Sequence, residues 1–585
     1  MATQNHPHSF NGIGNTLPIT DAFVSADMEQ TWPPRAQFLK CLVAAVPGLL
    51  ASQNPETGRF GVEPWIVHDQ HAIFPLTAAW SIKDKKNPWH CDPKVLEAVC
   101  KGGGALVDDQ DAMGMWTFRK KDHSTWGQIH MPWTYSRWIQ AYYLTRDAMP
   151  TSDREKWERG LLLGFTGIRK YMDMDGDIHN IPSHQAMALY IAGICFGNEE
   201  WKEAAKRYQA RVVAKQTPSG FWSEHFGPVV GYNGAYIESL GIYYHFSKDP
   251  VVLNALRRAA LFNASILWPD RSFVSCIDER NIYEHGTKVG NPGFSWTPEG
   301  RGYLLHQTRN LVNLDGGFGA ADYAAGMLLW GGEGIGTPFT AQGEHGNTII
   351  GDGDALIRRD KPWQYAFSGY ACKPFWNRWI QDRQNLVDIY HDKLGLVIGG
   401  GNTKLQPYWS TFTVGDPTQL SHTDGDETPN FVPDIDLLWT PDKASIRTAD
   451  GAMDLRYGDI GCSVAVHPRA HNLLLTYRAP DTHGKRVEAH VPILWRNGDL
   501  KLASGTSVPM GEEPVSLTSE QTGAHITWAG LRVTIPDRAK ILWPVWQHDP
   551  YRKDGRSSLH DAKLVIALPF GANVTEQVLT VSAQY

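Results

Sequence analysis

Apolar positions in the first half of the chain recur at helical spacing. Between Arg35 and Leu50, the residues Phe38, Leu39, Leu42, Val43, Val46 and Leu50 share one face, the period of an amphipathic helix. A second run opens at Ser183, which follows a proline and is placed to cap its helix. Between such runs lie polar turns that each re-enter an aromatic or aliphatic residue. NPETGRF ends at Phe60, QDAMGMW at Trp116, DMDGDI at Ile178, TPSGFW at Trp222 and WPDRSFV at Val274, and the first four carry glycine. The endpoints step by 56, 62, 44 and 52 residues. A unit of about fifty residues holding two helices, repeated five or six times, predicts stacked helical hairpins. Closed on themselves, these form an α/α toroid with the turns gathered at one end around a cleft.

The pattern changes after about Gly300. A glycine-dense stretch from Leu314 to Asp354 leads into short β-branched runs separated by turns, among them LGLVIGG, CSVAVH, NLLLTY, HVPILW, HITWAGLRVTIP, KLVIALPF and VLTVSA. This is the texture of a large antiparallel sheet or sandwich. The expected architecture is α+β and multidomain: an α/α-toroid catalytic domain over residues 1–340, then an antiparallel β-sandwich over 341–585. A length of 585 residues is itself too great for one ordinary core.

Composition narrows the function classes. A net charge of −7 supplies no basic surface for nucleic acid, and no apolar run approaches a membrane span. Seven scattered cysteines show no zinc spacing, so neither a metal nor an organic cofactor is expected. In DMDGD, Asp173, Asp175 and Asp177 alternate as calcium ligands do, but the later glutamate is missing at EF-hand spacing, which favours a polar turn. The 23 tryptophans fit a packed core and a carbohydrate cleft equally well, since a flat ring stacks on a sugar face.

Turns crowded at one end should be followed by the residues that do chemistry. Ile178 is followed by His179, Asn180 and His184; Trp222 by Glu224, His225, Tyr232 and Tyr236; Val274 by Asp278, Glu279, Arg280 and His285. The earlier turns lead to His68 and His71 and to Trp126, Gln128, His130 and Trp133, which read as subsite walls, with His68 or His71 a second choice for neutralising a carboxylate. Each residue also has a structural reading: Asn180 as a helix cap, Asp278 and Arg280 as a salt bridge, Tyr232, Tyr243 and Tyr244 as packing. An amide, a histidine, a tyrosine and an arginine after three successive equivalent turns suit eliminative cleavage of a uronate. Two rival readings stay open: a toroid glycoside hydrolase drawing on Glu224, Glu238, Asp278 and Glu279, and a carbohydrate-binding protein without catalysis.

The stretch SGFWSEHFGPVVGYNGAY resembles the signature of the hyaluronate, chondroitin and xanthan lyases of polysaccharide lyase family eight. The gap from His225 to Tyr236 is slightly longer and a doubled arginine is single here, so the resemblance extends to the wider toroid superfamily with heparinase and alginate lyase types. It implies a catalytic set of Asn180, His225, Tyr236 and Arg280; His184, Trp222 and Tyr232 are expected to contact the sugar substrate beside them. It also implies an acidic polysaccharide or oligosaccharide substrate and a secreted or periplasmic location with the signal removed. The start MATQNHPHSF carries no signal-type apolar stretch, which leaves a cytoplasmic location open.

Overall fold

The structure is a computed structural model that describes residues 16–17, 31–174, 177–224, 226–278, 280, 283, 287–288, 290–308, 317–337, 345–374, 382–402, 405–420, 435–549 and 552–584. Its contacts divide the chain into two compact units. The first comprises 1–222, 230–264 and 286–340, and the second 223–229, 265–285 and 341–585. The expected division at 340 placed the short segments 223–229 and 265–285 among the helices; both group with the strands instead.

Among the described residues, eleven α-helices follow one another in the first unit: α1 (Arg35–Ala51), α2 (Ile73–Ser81), α3 (Pro93–Asp109), α4 (Pro132–Thr145), α5 (Thr151–Met174), α6 (Asn180–Phe196), α7 (Glu199–Lys215), α8 (Val230–Ser247), α9 (Leu253–Ser265), α10 (Pro298–Thr308) and α11 (Gly317–Trp330). Helices α2, α4, α6 and α8 are buried around most of their circumference. A helix without a polar face has to be enclosed. They pack in series, α11 on α2, α2 on α4, α4 on α6 and α6 on α8, while α3, α5 and α7 lie against them with one face in solvent. The result is a double layer of hairpins, in which α6 begins two residues after its turn ends at Ile178. In α1 the buried positions are Phe38, Leu39, Cys41, Leu42, Val46 and Leu49, so Leu49 takes the place expected of Leu50. Helix α6 opens at Asn180, not at Ser183. Pro182 falls in the first turn, where its missing N–H is not needed, so the helix extends back through it.

Three of the turns share one construction. Gln53, Gln110 and Gln216 stand at or just after the ends of α1, α3 and α7, and each Nε2 donates to a carbonyl of the next outer helix. The acceptors are Ala98 at 2.8 Å, Gly160 at 3.1 Å and Ala255 at 2.9 Å. Gly58, Gly114 and Gly220 follow with φ of 72°, 77° and 95°. A Cβ there would run into the backbone of Lys101, Gly164 and Arg258 respectively. The ring that ends the turn then points back: Trp116 Nε1 donates to the Leu106 carbonyl at 3.1 Å and Trp222 Nε1 to the Val212 carbonyl at 2.7 Å. Glutamine, left-handed glycine and aromatic therefore fasten each hairpin to the next.

The second unit is a sandwich of two antiparallel sheets, one ten-stranded and one nine-stranded among the described strands. In the first, Val487–Leu494 pairs with Lys563–Phe570 from Val487↔Phe570 to Leu494↔Lys563; in the second, Asn472–Arg478 pairs with Glu576–Ala583. One core joins Trp363, Tyr365, Phe367 and Ile389 of the first sheet to Met453, Leu455, Tyr477 and Val581 of the second. Ala452–Tyr457 alternates buried and exposed positions over most of its length, whereas Trp363–Ser368 and Val387–His391 are buried throughout. The second face of those strands carries segment 265–278: Trp268 stacks on Tyr390 with centroids 5.1 Å apart.

A paired substitution tests the shared turn. Gly127, at φ 88°, has nothing within 4 Å of an added Cβ, so Gly127→Ala should lose only the left-handed backbone cost of about 1–2 kcal/mol. Gly220→Ala adds overpacking against Arg258 and should lose about 1–3 kcal/mol more. Urea unfolding followed by far-ultraviolet circular dichroism measures both; equal losses would contradict the close approach.

Candidate active site

The start of α6 and the second turn of α8 meet. Asn180 is the first helical residue of α6, with His179 in the cap position and no side-chain cap bond. The amide of Asn180 therefore does not cap the helix. It is 7 % exposed, and among the described residues no hydrogen bond holds it. Tyr236 is 1 % exposed and stacks on Trp222, centroids 5.0 Å apart and planes 21° from parallel. Its hydroxyl lies 3.5 Å from the carbonyl oxygen of Ile178, two residues before Asn180. The structure thus brings Asn180 and Tyr236 to one place.

Trp222 has a different part from the sugar platform expected of it. It is buried, its indole N–H is spent on Val212, and its backbone is clamped by one side chain. Asn233 Oδ1 accepts the Trp222 N–H at 2.6 Å while Nδ2 donates to the Trp222 carbonyl at 3.0 Å. Trp222 is thereby a fixed wall that orients the Tyr236 ring. Asn233 sits inside GYNGAY, where the tyrosines drew attention away from it. Tyr232 is half-buried on α8. Tyr243 is packing, as expected, edge-on to Tyr190 with its hydroxyl donating to Asp249.

Below this point the inner helices hold a buried polar network that sequence alone does not reveal. His184, one turn after Asn180, is fully buried with Nε2 3.1 Å from Glu238 Oε2 on α8. Arg137 on α4 makes a two-pronged contact with Asp322 on α11, Nε to Oδ1 at 2.8 Å and Nη2 to Oδ2 at 2.5 Å. Burial opposes the arginine's charge, but the Asp322 carboxylate outweighs it and holds the guanidinium above its ordinary range. Arg137, Glu238, Asn291 and Asp322 line a cavity of about 20 Å³, room for one water. Asp322 lies 185 residues from Arg137, and no local pattern marks the pair.

The earlier turns deliver three kinds of residue. Trp126 is half-buried on the hairpin Trp116–Arg119/Thr125–Ile129, with Phe118 edge-on at 4.5 Å and the Lys120 ammonium 4.7 Å over its ring; Gln128 is exposed beside it and donates to Thr117. This aromatic, basic edge suits an acidic sugar. His130 is structural instead: buried, its Nε2 bonds the Met113 carbonyl at 2.9 Å, and Gly167 leaves room for its ring. Trp133 is buried as well, between His68 and His184. His71 shares a 2.9 Å hydrogen bond with Thr134. Burial, then Arg137 and Lys120, lower the His68 pKa to about 4; burial, then Arg137 and His68, push His71 well below its ordinary value. Near pH 7 both rings would meet a carboxylate as neutral hydrogen-bonding groups and not as cations.

His225 and Glu279 lie outside the described residues, as does Asp175 of the alternating carboxylates. Arg280 is in the second unit, 8 % exposed. Asp278 Oδ1 accepts its backbone N–H at 2.8 Å, a turn-forming bond in addition to whatever the guanidinium does. Glu224 pairs through its backbone with Gly227. Among the described residues no cluster of metal-binding type occurs, and no helix is long and apolar enough to cross a membrane.

No family model and no curated protein matches this sequence. Solved structures do match its fold. The chondroitin AC lyase of Streptomyces coelicolor A3, solved with chondroitin sulphate, superposes with a TM-score of 0.54 at 11 % identity, over 94 % of this chain and 80 % of that one. Heparinase III gives 0.52 at 11 % identity, over 98 % and 88 %. The fold is therefore that of the α/α-toroid polysaccharide lyases with their β-sandwich. At this identity the likeness carries architecture, and the substrate has to be argued from chemistry.

The neutral histidines have a measurable consequence. A histidine whose pKa is lower folded than unfolded takes up protons first in the unfolded chain. Its contribution to stability is complete above about pH 6.5 and is lost as pH falls toward about 4. The melting temperature should drop across that window, and His68→Gln should flatten the drop. An identical slope in both proteins would contradict the burial of His68 as a neutral ring.

Proposed function

We propose that this chain is a polysaccharide lyase that cleaves a uronic-acid-containing glycan by β-elimination, leaving a 4,5-unsaturated uronate end. The observation that carries the reading is the convergence of an unspent, buried amide on Asn180 with the Tyr236 hydroxyl at the start of α6. The C5 proton of a uronate is too weakly acidic to remove while the neighbouring carboxylate keeps its full charge. A preorganised amide donor lowers the energy of the enolate that forms, and Asn180 is placed for it without a competing bond.

The proton on C5 leaves to a base, its electron pair forms the C4=C5 bond, the C4–O4 bond breaks, and O4 takes a proton. On the same-face route Tyr236 does both transfers, as phenolate and then phenol, with Arg280 favouring the anion of a group whose ordinary pKa is about 10. On the opposite-face route His225 is the base and Tyr236 the acid. Hydrolysis is less well supported: of Glu224, Glu238, Asp278 and Glu279, Glu238 faces His184 and Asp278 accepts the Arg280 backbone N–H, which leaves these two less suited to flank a water as acid and base. The acidic substrate is consistent with Lys120 over Trp126.

Two variants test the assignment together, assayed on a panel of uronate polymers by the ultraviolet absorbance of the unsaturated end. Tyr236→Phe removes one hydroxyl and should abolish turnover with binding kept. Asn180→Ala should lower the rate by about 10²–10³ at an unchanged melting temperature, because the residue caps nothing. Full activity in either variant would remove that residue from the mechanism.

A further inference from the structure

We infer that Arg383 is a positioning residue that fixes, relative to one another, the two segments bearing His225 and Arg280. What those two residues do rests on the elimination reading; how they are held rests on geometry within the second unit. Ser223–Glu224 pairs antiparallel with Gly227–Pro228 through Ser223↔Pro228 and Glu224↔Gly227. Arg383 Nη2 donates to the Pro228 carbonyl at 2.9 Å, and Nη1 donates to the Ile277 carbonyl at 2.9 Å. Pro228 is three residues after His225, and Ile277 three before Arg280. One guanidinium thus joins two remote pieces of chain, 155 and 106 residues from it in sequence.

Arg383 is 0 % exposed, with the Tyr370 ring 5.5 Å from its Cζ. Both Nη groups donate to backbone carbonyls, and what those two bonds supply is placement. The planar fork of arginine serves two acceptors in fixed directions, whereas the donors of a lysine ammonium rotate about a single point charge.

The surroundings are built to the same end. Asn402 Oδ1 accepts the backbone N–H groups of Gln384 and Asn385, the residues after Arg383, at 2.9 and 3.1 Å, while its Nδ2 donates to the Asp278 carbonyl at 2.6 Å. Asp388 accepts from Ser275 Oγ at 2.7 Å and from the Cys276 N–H at 2.8 Å. On the other side, a Cβ at Gly227 would stand 2.7 Å from Arg383 Nη2 and 3.0 Å from Tyr370 Cγ. Glycine is what lets the ribbon reach the guanidinium.

Two measurements on Arg383→Gln and Gly227→Ala decide the matter. The first is amide hydrogen exchange over 223–229 and 275–283; the second is steady-state elimination. Arg383→Gln should speed exchange in both segments at once while Val387–His391 and Lys563–Phe570 stay protected. It should lower kcat by about 10²-fold, the scale of a small misplacement of catalytic groups, with KM changed less than about two-fold. Gly227→Ala, which only displaces the guanidinium, should do the same in milder degree. Wild-type exchange in both segments of both variants overturns the inference, and so does a kcat loss that merely follows the folded fraction. Absence of unsaturated product from the wild type would sink the elimination reading instead, with the exchange result still deciding whether Arg383 joins the segments.

Discussion

The helical unit depends on one contact repeated three times: a glutamine amide donating across to a carbonyl of the next outer helix, beside a left-handed glycine that lets the two backbones touch. A hairpin of two helices cannot by itself bury an inner helix that has no solvent-facing side. It is enclosed only if the next hairpin docks in register, and Gln53, Gln110 and Gln216 set that register. Asn180 and Tyr236, on different hairpins, meet where the start of α6 packs on α8.

Fastening the turns leaves the inner helices with polar groups far from water, and several of these face a partner across the ring. Arg137 with Asp322 links α4 to α11, His184 with Glu238 links α6 to α8, and Gln140 accepts the Trp330 indole N–H at 2.6 Å. Among the described residues, other buried polar atoms of the unit, such as Ser183 Oγ, Gln209 Oε1 and Tyr323 Oη, have no hydrogen-bond partner; Asn180 is 7 % exposed, and among the described residues no hydrogen bond holds its amide.

The fold was legible because it rests on local signals. Polar turns at intervals of about fifty residues marked the hairpins, and all the quoted β-branched runs fall on strands. Tyr236 and Asn180 were legible as residues placed after equivalent turns. What escaped was non-local or ambiguous by type. Arg137 and Asp322 are separated by most of the toroid's sequence. Asn233, Arg383 and Asn402 look like ordinary polar residues until the backbone groups they hold are seen. Trp222 and His130 have the residue types of a sugar cleft, but the indole and imidazole N–H groups are already donated inside the protein. Segments 223–229 and 265–285 read as continuations of the hairpins, since nothing in their composition announces strand company.

The central claim is that the reaction is an elimination, and the mass balance of the products tests it most directly. Digestion of a defined uronate oligosaccharide, followed by mass spectrometry in ordinary and oxygen-18 water, separates the two chemistries. Elimination predicts fragments whose masses sum to that of the substrate, one fragment unsaturated and neither labelled. Fragments that together exceed the substrate by one water, with the heavy oxygen at the new reducing end, would contradict it.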